Sequence, residues 1–253
     1  MKSACFDDPN LVSTAGLVPV MASAQRAGLV RLVKEHVSVP GPAGAHAGAK
    51  VSAVVAGMVA GADSFEDLAV LRHGAMRRVL VGAPAPTTLG TNLRAYAFGH
   101  VRQLDAVATR ALAVLAACTP VLARVDQVAR IDVDDTIKPM HGYAQQGVAY
   151  GYSKIKGLNA QLAVLSTPLA APVIAGVRLR KGNVASAHGA PKLIADAVAT
   201  ARRCGAAGLV TVCLAPGLME ALDPGEDESH GSTEEVPGGA SGASDSDGGR
   251  PAA

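Results

Sequence analysis

Apolar residues recur every three or four positions through the first 120 residues, which predicts that this part of the chain is helical. The first predicted helix covers residues 17–36, and a helix of small residues covers residues 50–61. Ser64 caps a short helix in this interpretation, with Asp67 at its third position. A long amphipathic helix is predicted over residues 91–117, so residues 1–120 are expected to form an all-helical region.

The pattern changes after Pro120, where alternating apolar and polar residues predict strands. The first strand begins near Val128, and two more are expected over residues 158–166 and 172–180. A helix over residues 192–204 separates them from a fourth strand over residues 208–212. The short links favour antiparallel pairing of the first three strands, whereas the helical crossover predicts a parallel fourth strand.

Three carboxylates fall close together in the first of these strands, in the segment Ile131-Asp132-Val133-Asp134-Asp135-Thr136. Alternation puts Asp132 and Asp134 on the same face of the strand. The turn residues that follow suggest that the acids stand at the exit of the strand. Like charges so close raise one another's pKa unless a cation such as Mg²⁺ lies among them. The alternative interpretation is a solvated acidic turn.

Composition narrows the class of protein. The chain has 253 residues, of which 49% are hydrophobic, and it contains no tryptophan. Its four cysteines are far apart and have no histidine at ligand spacing, which argues against a zinc site and favours a reducing compartment. No apolar run is long enough to span a bilayer, so a cytoplasmic protein without a membrane partner is expected.

The net charge of +2 hides a strong asymmetry. From Asp223 onward the chain has eight acidic residues and one basic residue, so residues 1–222 hold 22 of the 23 basic and 13 of the 21 acidic residues, a net charge of +9. A body this basic suits a polyanionic partner. The acidic, Gly/Ser/Pro-rich end has no apolar periodicity, and residues 214–253 are predicted to be a disordered tail.

Several segments together resemble the DDE transposases of bacterial insertion sequences. The resemblance runs through residues 6–212, and the order and spacing of the segments make it specific. The segments are Phe6-Asp7-Asp8 with Ala15-Gly16-Leu17-Val18-Pro19, Asp67-Leu68-Ala69-Val70-Leu71-Arg72-His73-Gly74, Thr88-Leu89-Gly90-Thr91, Gly99-His100-Val101-Arg102-Gln103-Leu104-Asp105, Asp132-Val133-Asp134-Asp135-Thr136, Tyr150-Gly151-Tyr152-Ser153 with Lys156-Gly157-Leu158-Asn159, and Arg178-Leu179-Arg180-Lys181-Gly182.

The resemblance implies an α+β fold. A helical DNA-binding region over residues 1–120 would precede a partial ribonuclease H-like mixed sheet over residues 121–213, and the tail over residues 214–253 would lie outside the family pattern. In such enzymes three carboxylates hold two divalent metal ions, Mg²⁺ or Mn²⁺, which activate the attacking oxygen and stabilise the leaving one. The first carboxylate is carried over to Asp134, with Asp135 as its catalytic rival, and the metal ligands to Asp134 and Asp132.

The partner that the resemblance implies is DNA, in the form of the terminal inverted repeats of the element, bound by a homodimer; no small-molecule substrate is expected. The basic residues expected to contact this DNA lie in a cluster near residue 75, on the long helix and beside the active site. They are Arg72, Arg77, Arg78, Arg102, Lys154 and Lys156. For the cluster and the two lysines, an ordinary solvated surface is the competing interpretation.

The chain departs from the family pattern after the fourth strand. The family continues there into Asp-Ser, its second carboxylate, and carries a Glu much farther on, whereas this chain reads Cys213-Leu214-Ala215-Pro216. This predicts a frameshifted or truncated transposase that does not perform strand transfer. A DNA-binding remnant that still recognises the terminal repeats is the alternative within the same family.

A second alternative comes from another class of enzyme. The segment from Asp132 to Thr136 also satisfies Asp-x-Asp-x-Thr, which resembles the nucleophile loop of haloacid-dehalogenase-type phosphatases. There Asp132 would attack phosphorus and Asp134 would be the general acid and base. That family expects the motif near the start of a doubly wound sheet, before crossover helices.

Overall fold

The computed structural model describes residues 9–141 and 145–222, and within these the chain folds as helices and one mixed sheet. The helices are α1 Leu17–Arg26, α2 Leu29–His36, α3 Gly41–Gly44, α4 Ala47–Val59, α5 Met76–Val79, α6 Pro86–Arg94, α7 Phe98–Cys118, α8 Ala190–Arg203 and α9 Pro216–Leu222. The strands are β1 Val128–Pro139, β2 Ala149–Tyr150, β3 Lys156–Thr167, β4 Ala170–Lys181 and β5 Leu209–Leu214. Two 3-10 helices cover Asp67–Arg72 and Pro120–Leu122. The predicted α+β class is confirmed at this level.

The N-terminal part is helical, as predicted, but two of its predicted helices are each divided in two. The first breaks at Gly28, whose φ of 74° lies in the left-handed region that glycine adopts readily. The second breaks between α6 and α7, where His100 Nδ1 accepts the Ala97 backbone N–H at 2.9 Å and caps the start of α7. Ser64 and Asp67 do exchange hydrogen bonds, since Asp67 Oδ2 accepts the Ser64 N–H at 2.9 Å and Ser64 Oγ accepts the Asp67 N–H at 3.3 Å, but the helix that follows is a 3-10 helix whose N-cap residue is Glu66. The Ser64 hydrogen bonds also hold the pKa of Asp67 below its usual value.

The four predicted strands and the helix before the last of them follow one another along the chain as expected. β1 pairs antiparallel with β3, and β3 pairs antiparallel with β4 and with the short β2 that the sequence did not indicate. After α8, the chain returns so that β5 lies parallel to β1, with Ile131 opposite Val212. β1 is therefore flanked on both sides, by β3 and by β5.

The sheet buries one face against α8. The core of this part combines Ile131 and Val133 of β1 with Leu193 and Ala197 of α8, and all four are at most 2% exposed. On the opposite face, which we call the outer face, Leu179 and Leu209 remain 63% and 66% exposed. Alternation along β1 therefore decides which side chains meet the core and which meet solvent.

Helix α7 belongs to two hydrophobic cores at once. Near its middle, Val107 packs in a cluster with Leu32 and Val33 of α2. Toward its end, Leu112 and Ala116 pack against the core under the sheet. The predicted division near residue 120 thus follows a helix that both sides share, and the described residues up to Leu222 form one compact unit.

The predicted disordered tail starts at residue 214, and the structure describes its first nine residues. There β5 continues through Leu214, α9 follows, and Leu218 is 2% exposed in the core under the sheet. This part is therefore ordered, because Leu218 supplies an apolar contact that the sequence analysis overlooked. The rest of the predicted tail, residues 223–253, lies outside the described residues.

No helix among residues 9–141 and 145–222 is long and apolar enough to cross a membrane.

The central position of β1 gives a test of the core. Ile131 is fully buried, so Ile131→Ala should lower the free energy of unfolding by about 2–5 kcal/mol in urea denaturation. Leu209→Ala removes a 66% exposed side chain from the neighbouring strand and should change it by about 0.5 kcal/mol or less. Equal effects of the two substitutions would contradict the assignment of the buried and outer faces.

Candidate active site on the central strand

The three carboxylates lie in the middle of β1, whereas the sequence placed them at its exit. β1 continues to Pro139 because its second half still has β3 as a partner, up to the pair Pro139 and Gly157. Side chains alternate along the strand, so Asp132 and Asp134 share one face, as predicted, and this is the outer face, while Asp135 points to the face that holds the core. The three acids therefore do not share one site.

Asp132 has a cation of its own. Its Oδ1 accepts Arg130 Nε at 2.9 Å, two positions back on the same face of β1. Asp132 raises the pKa of Arg130, mainly through this hydrogen bond. Both side chains are substantially exposed, so solvent screens the pair and its contribution to stability is small.

Asp134 is the exposed carboxylate of the three. Its Oδ1 accepts the backbone N–H of Asp135 at 2.7 Å. Its neighbours across the sheet are apolar. Leu162 is its register partner on β3, and continuing the register of Val133 and Leu214 by one residue brings Ala215 opposite Asp134 on the other side.

Asp135 is held in a buried ion pair. Arg180 Nη2 on β4 lies 2.8 Å from Asp135 Oδ2, and the side chains are only 8% and 15% exposed respectively. Asn159 on β3 lies between them: its Nδ2 donates to Asp135 Oδ2 at 3.3 Å, and its Oδ1 accepts Arg180 Nη2 at 2.6 Å. Because the three residues come from three adjacent strands, they tie β1, β3 and β4 together on the core face.

Arg180 also anchors the loop that leads from β4 into α8. Its Nη1 donates to the backbone carbonyls of Ser186 at 3.1 Å and His188 at 2.6 Å. Gln161 Nε2 donates to the Ser186 carbonyl as well, at 3.0 Å. The loop carbonyls thereby gain donors beside the first turn of α8.

Two buried acceptors in this cluster have no hydrogen-bond partner among the described residues: Asp135 Oδ1 and Gln161 Oε1. They belong to register partners, because Asp135 is opposite Gln161. Oxygen ligands of this kind suit either a water molecule or a divalent cation. The Arg180 guanidinium on the other oxygen of Asp135 repels a second cation, so the site is better suited to a water molecule that donates to both acceptors.

The carboxylates of β1 do not provide the ligand set that two metal ions need. No group of three or more His, Cys, Asp or Glu residues able to hold a metal ion occurs in the described part of the chain. The two paired acids are balanced by Arg130 and Arg180, so only Asp134 lacks an ion pair among those recorded for the three. The two arginines thus reduce the repulsion between the acids, a role that the sequence suggested for a metal ion.

The basic residues expected to contact DNA lie in three separate places. Arg77 and Arg78 are exposed on α5, and Arg77 Nε donates to the carbonyl of half-buried Arg72 at 2.7 Å. Lys154 is exposed and Lys156 is half-buried. Both lie beyond the end of β1, which is about five residues, or roughly 17 Å, along the strand from Asp134. The third place is helix α7, where Arg102 lies 3.5 Å from Asp105 and 3.8 Å from Asp196.

The roles of Asn159, Gln161 and Arg180 were not predicted from the sequence. The local pattern was misleading, because Asn159 and Gln161 alternate with apolar Leu158, Ala160 and Leu162, which by itself places the polar side chains outward. The structure instead buries both, and such amides need hydrogen-bond partners because an unpaired buried amide costs free energy. Their partner Arg180 is 45 residues from Asp135, and no local pattern joins the two.

Comparison of the chain with protein-family models, with curated proteins and with solved structures found no match.

The two ion pairs of β1 can be compared directly. Arg180→Met should lower the free energy of unfolding by about 3–5 kcal/mol, because it leaves the Asp135 carboxylate buried without its cation. Arg130→Met breaks the exposed pair and should cost about 1 kcal/mol or less. Urea denaturation measures both.

A double variant tests whether the unpaired Asp135 charge causes the loss of stability in Arg180→Met. Adding Asp135→Asn to Arg180→Met removes the unpaired charge and should recover part of the lost stability. A double variant no more stable than Arg180→Met would contradict the buried ion pair as the source.

Proposed function

We propose that this chain is a transposase-type DNA-binding protein, related to the DDE transposases of insertion sequences, that binds DNA without cleaving it. The helical region with its exposed basic residues contacts DNA, and the sheet carries the remains of a ribonuclease H-like active site. Asp134 occupies the position of the first catalytic carboxylate, because it is the exposed acid on the central strand.

The observation that carries this proposal is the register of β1 and β5. The resemblance expects the second carboxylate directly after the fourth strand, close enough to the first to share a metal ion. The register ends at Val133 and Leu214, and one residue further on Ala215, whose N–H donates to the Val133 carbonyl at 3.1 Å, follows β5 beside Asp134. The parallel pairing of β1 and β5 supports the proposal, because an acid directly after β5 would lie beside Asp134, and this chain has an apolar residue there.

The residues present therefore do not fit a two-metal centre. Asp134 is one carboxylate, and Asp132 is engaged by Arg130. A two-metal reaction needs ligands on both the attacking and the leaving side of the phosphate. We accordingly assign this chain no phosphodiester cleavage or strand transfer.

DNA binding rests on charge and exposure. Residues 1–222 have a net charge of +9, and Arg77 and Arg78 project from the short helix α5 into solvent. Adjacent exposed guanidinium groups suit contacts to successive backbone phosphates. Such contacts set affinity rather than sequence preference, so recognition of terminal repeats would need further contacts to base edges.

The phosphatase alternative has less support. It requires Asp132 to be a free nucleophile at the end of a strand in a doubly wound sheet. Asp132 instead lies in the middle of β1, accepts a hydrogen bond from Arg130, and has an antiparallel neighbouring strand in β3. No further function is proposed on that motif.

The register between β1 and β5 can be tested by restoring a carboxylate. Ala215→Asp should place a second carboxylate directly after β5, beside Asp134 on a strand about 4.8 Å away, and it should create Mn²⁺ binding that calorimetry detects. Adding Asp134→Asn should abolish that binding. Thr211→Asp is the matched control, because it adds an acid to the same strand beside Arg130 and should bind no Mn²⁺. Equal binding by the two single variants would contradict the pairing of Asp134 with position 215.

The contribution of α5 to DNA binding can be tested with duplex DNA by fluorescence anisotropy between about 50 and 200 mM salt. The double variant Arg77→Ala/Arg78→Ala should bind about five- to tenfold more weakly and reduce the salt slope by about 2, since two phosphate contacts are lost. Arg31→Ala removes an exposed arginine that pairs with Glu35 and should leave both quantities nearly unchanged. Unchanged binding by the double variant would remove α5 from the DNA-binding surface.

A further inference from the structure

A cavity with a volume of about 210 Å³ lies between α7, α8 and the edge strand β4, apart from the β1 carboxylates. One face of α7 lines it through residues spaced by three and four positions, from Arg102 to Arg110, and one face of α8 does so from Asp196 to Arg203. Gly176 and Ala175 of β4 line it with small side chains. The cavity is large enough for a phosphate group together with several water molecules.

The cavity gathers an excess of positive charge. Its charged lining consists of four arginines and two carboxylates, which leaves two positive charges in excess: Arg102, Arg110, Arg178 and Arg203 against Asp105 and Asp196. A concave site with one sign of charge in excess concentrates the field that attracts a counter-ion. Guanidinium groups in particular match the geometry of phosphate oxygens.

The two carboxylates do not tightly engage these arginines. Arg102 is 3.5 Å from Asp105 and 3.8 Å from Asp196, longer than the 2.7–2.9 Å of a charge-assisted hydrogen bond. Asp196 is also paired with Lys192 on its own helix. An incoming anion can therefore compete for Arg102 without breaking a close ion pair.

Arg178 supplies a fixed donor at one side of the cavity. This side chain is half-buried on β4, and its Nη1 donates to the Gly189 carbonyl at 2.9 Å. That bond uses one of five N–H groups and sets the orientation of the planar guanidinium. Arg203 and Arg110 are exposed on α8 and α7, so they can move toward a ligand.

Asp105 behaves as an acid in a partly desolvated site. Burial raises its pKa, with Asp196 contributing in the same direction and Arg102 and Arg178 opposing it. Burial thus disfavours its negative charge, and removing that charge would favour an anion nearby.

We propose that this cavity is a phosphate-binding site, in which Arg102, Arg178 and Arg203 bind the phosphate oxygens. The proposal goes beyond the proposed function, because it assigns a separate site that does not involve β1 or α5. Two sources present the same chemistry: the phosphodiester of a DNA backbone and the phosphomonoester of a small sugar phosphate.

Calorimetry with ribose 5-phosphate and anisotropy with labelled duplex DNA, both on the full chain, test the site. Arg203→Gln should weaken binding of the phosphate source about tenfold, since a charge-assisted hydrogen bond is lost. Asp105→Asn should strengthen it about threefold by removing a negative charge. Arg31→Gln is the control, because Arg31 is an exposed arginine of α2 that pairs with Glu35, and this substitution should change the binding of neither ligand.

The outcomes separate the two sources. Ribose 5-phosphate binding that responds to both substitutions supports a small phosphomonoester. A response seen only in DNA affinity supports a backbone phosphate. If neither ligand responds to Arg203→Gln, or if Asp105→Asn fails to strengthen whichever binding is found, the proposal is overturned. The α5 variant of the preceding section leaves this cavity intact, so the two proposals can fail independently.

Discussion

The arrangement of the sheet depends on one buried interaction, the ion pair between Arg180 and Asp135. Moving both charges out of water is costly, and the pair is tolerated because Asn159 and the carbonyls of Ser186 and His188 also hydrogen-bond to it. Through these contacts Arg180 fixes three adjacent strands and the loop that starts α8. Since α8 covers the core face of β1, the hydrophobic core under the sheet depends on that loop being in place.

Alternation of side chains along β1 gives the neighbouring acids different surroundings. Asp134 meets solvent, while Asp135, one residue later, is drawn into the polar network of the core face. A single-residue shift of register would exchange their environments. Asp135 therefore serves the stability of the sheet, and Asp134 is the exposed carboxylate on the outer face of β1. The apolar residue opposite Asp134 explains why the proposed function stops at binding.

The strand order could be predicted because it rests on local signals, namely alternation, turn residues and a helical crossover. The ends of the helices were harder to predict from the sequence. Gly28 breaks a pattern whose apolar spacing continues across it, and the break before α7 involves neither glycine nor proline, only a cap from His100. The carboxylates themselves were found from the sequence. The partner of Asp135 was not, because its contact with Arg180 spans 45 residues and depends on the pairing of three strands.

Helix α7 has a consequence for how the molecule unfolds. Val107 is packed in the helical core and Ala116 against the sheet, so neither core can lose its structure without exposing apolar surface of the same helix. The two cores are therefore coupled energetically, and residues 9–141 and 145–222 should unfold in a single cooperative transition. Cutting the chain near residue 120 would leave half of the apolar face of α7 exposed to water. A stable fragment would have to carry the whole helix together with both of its packing partners.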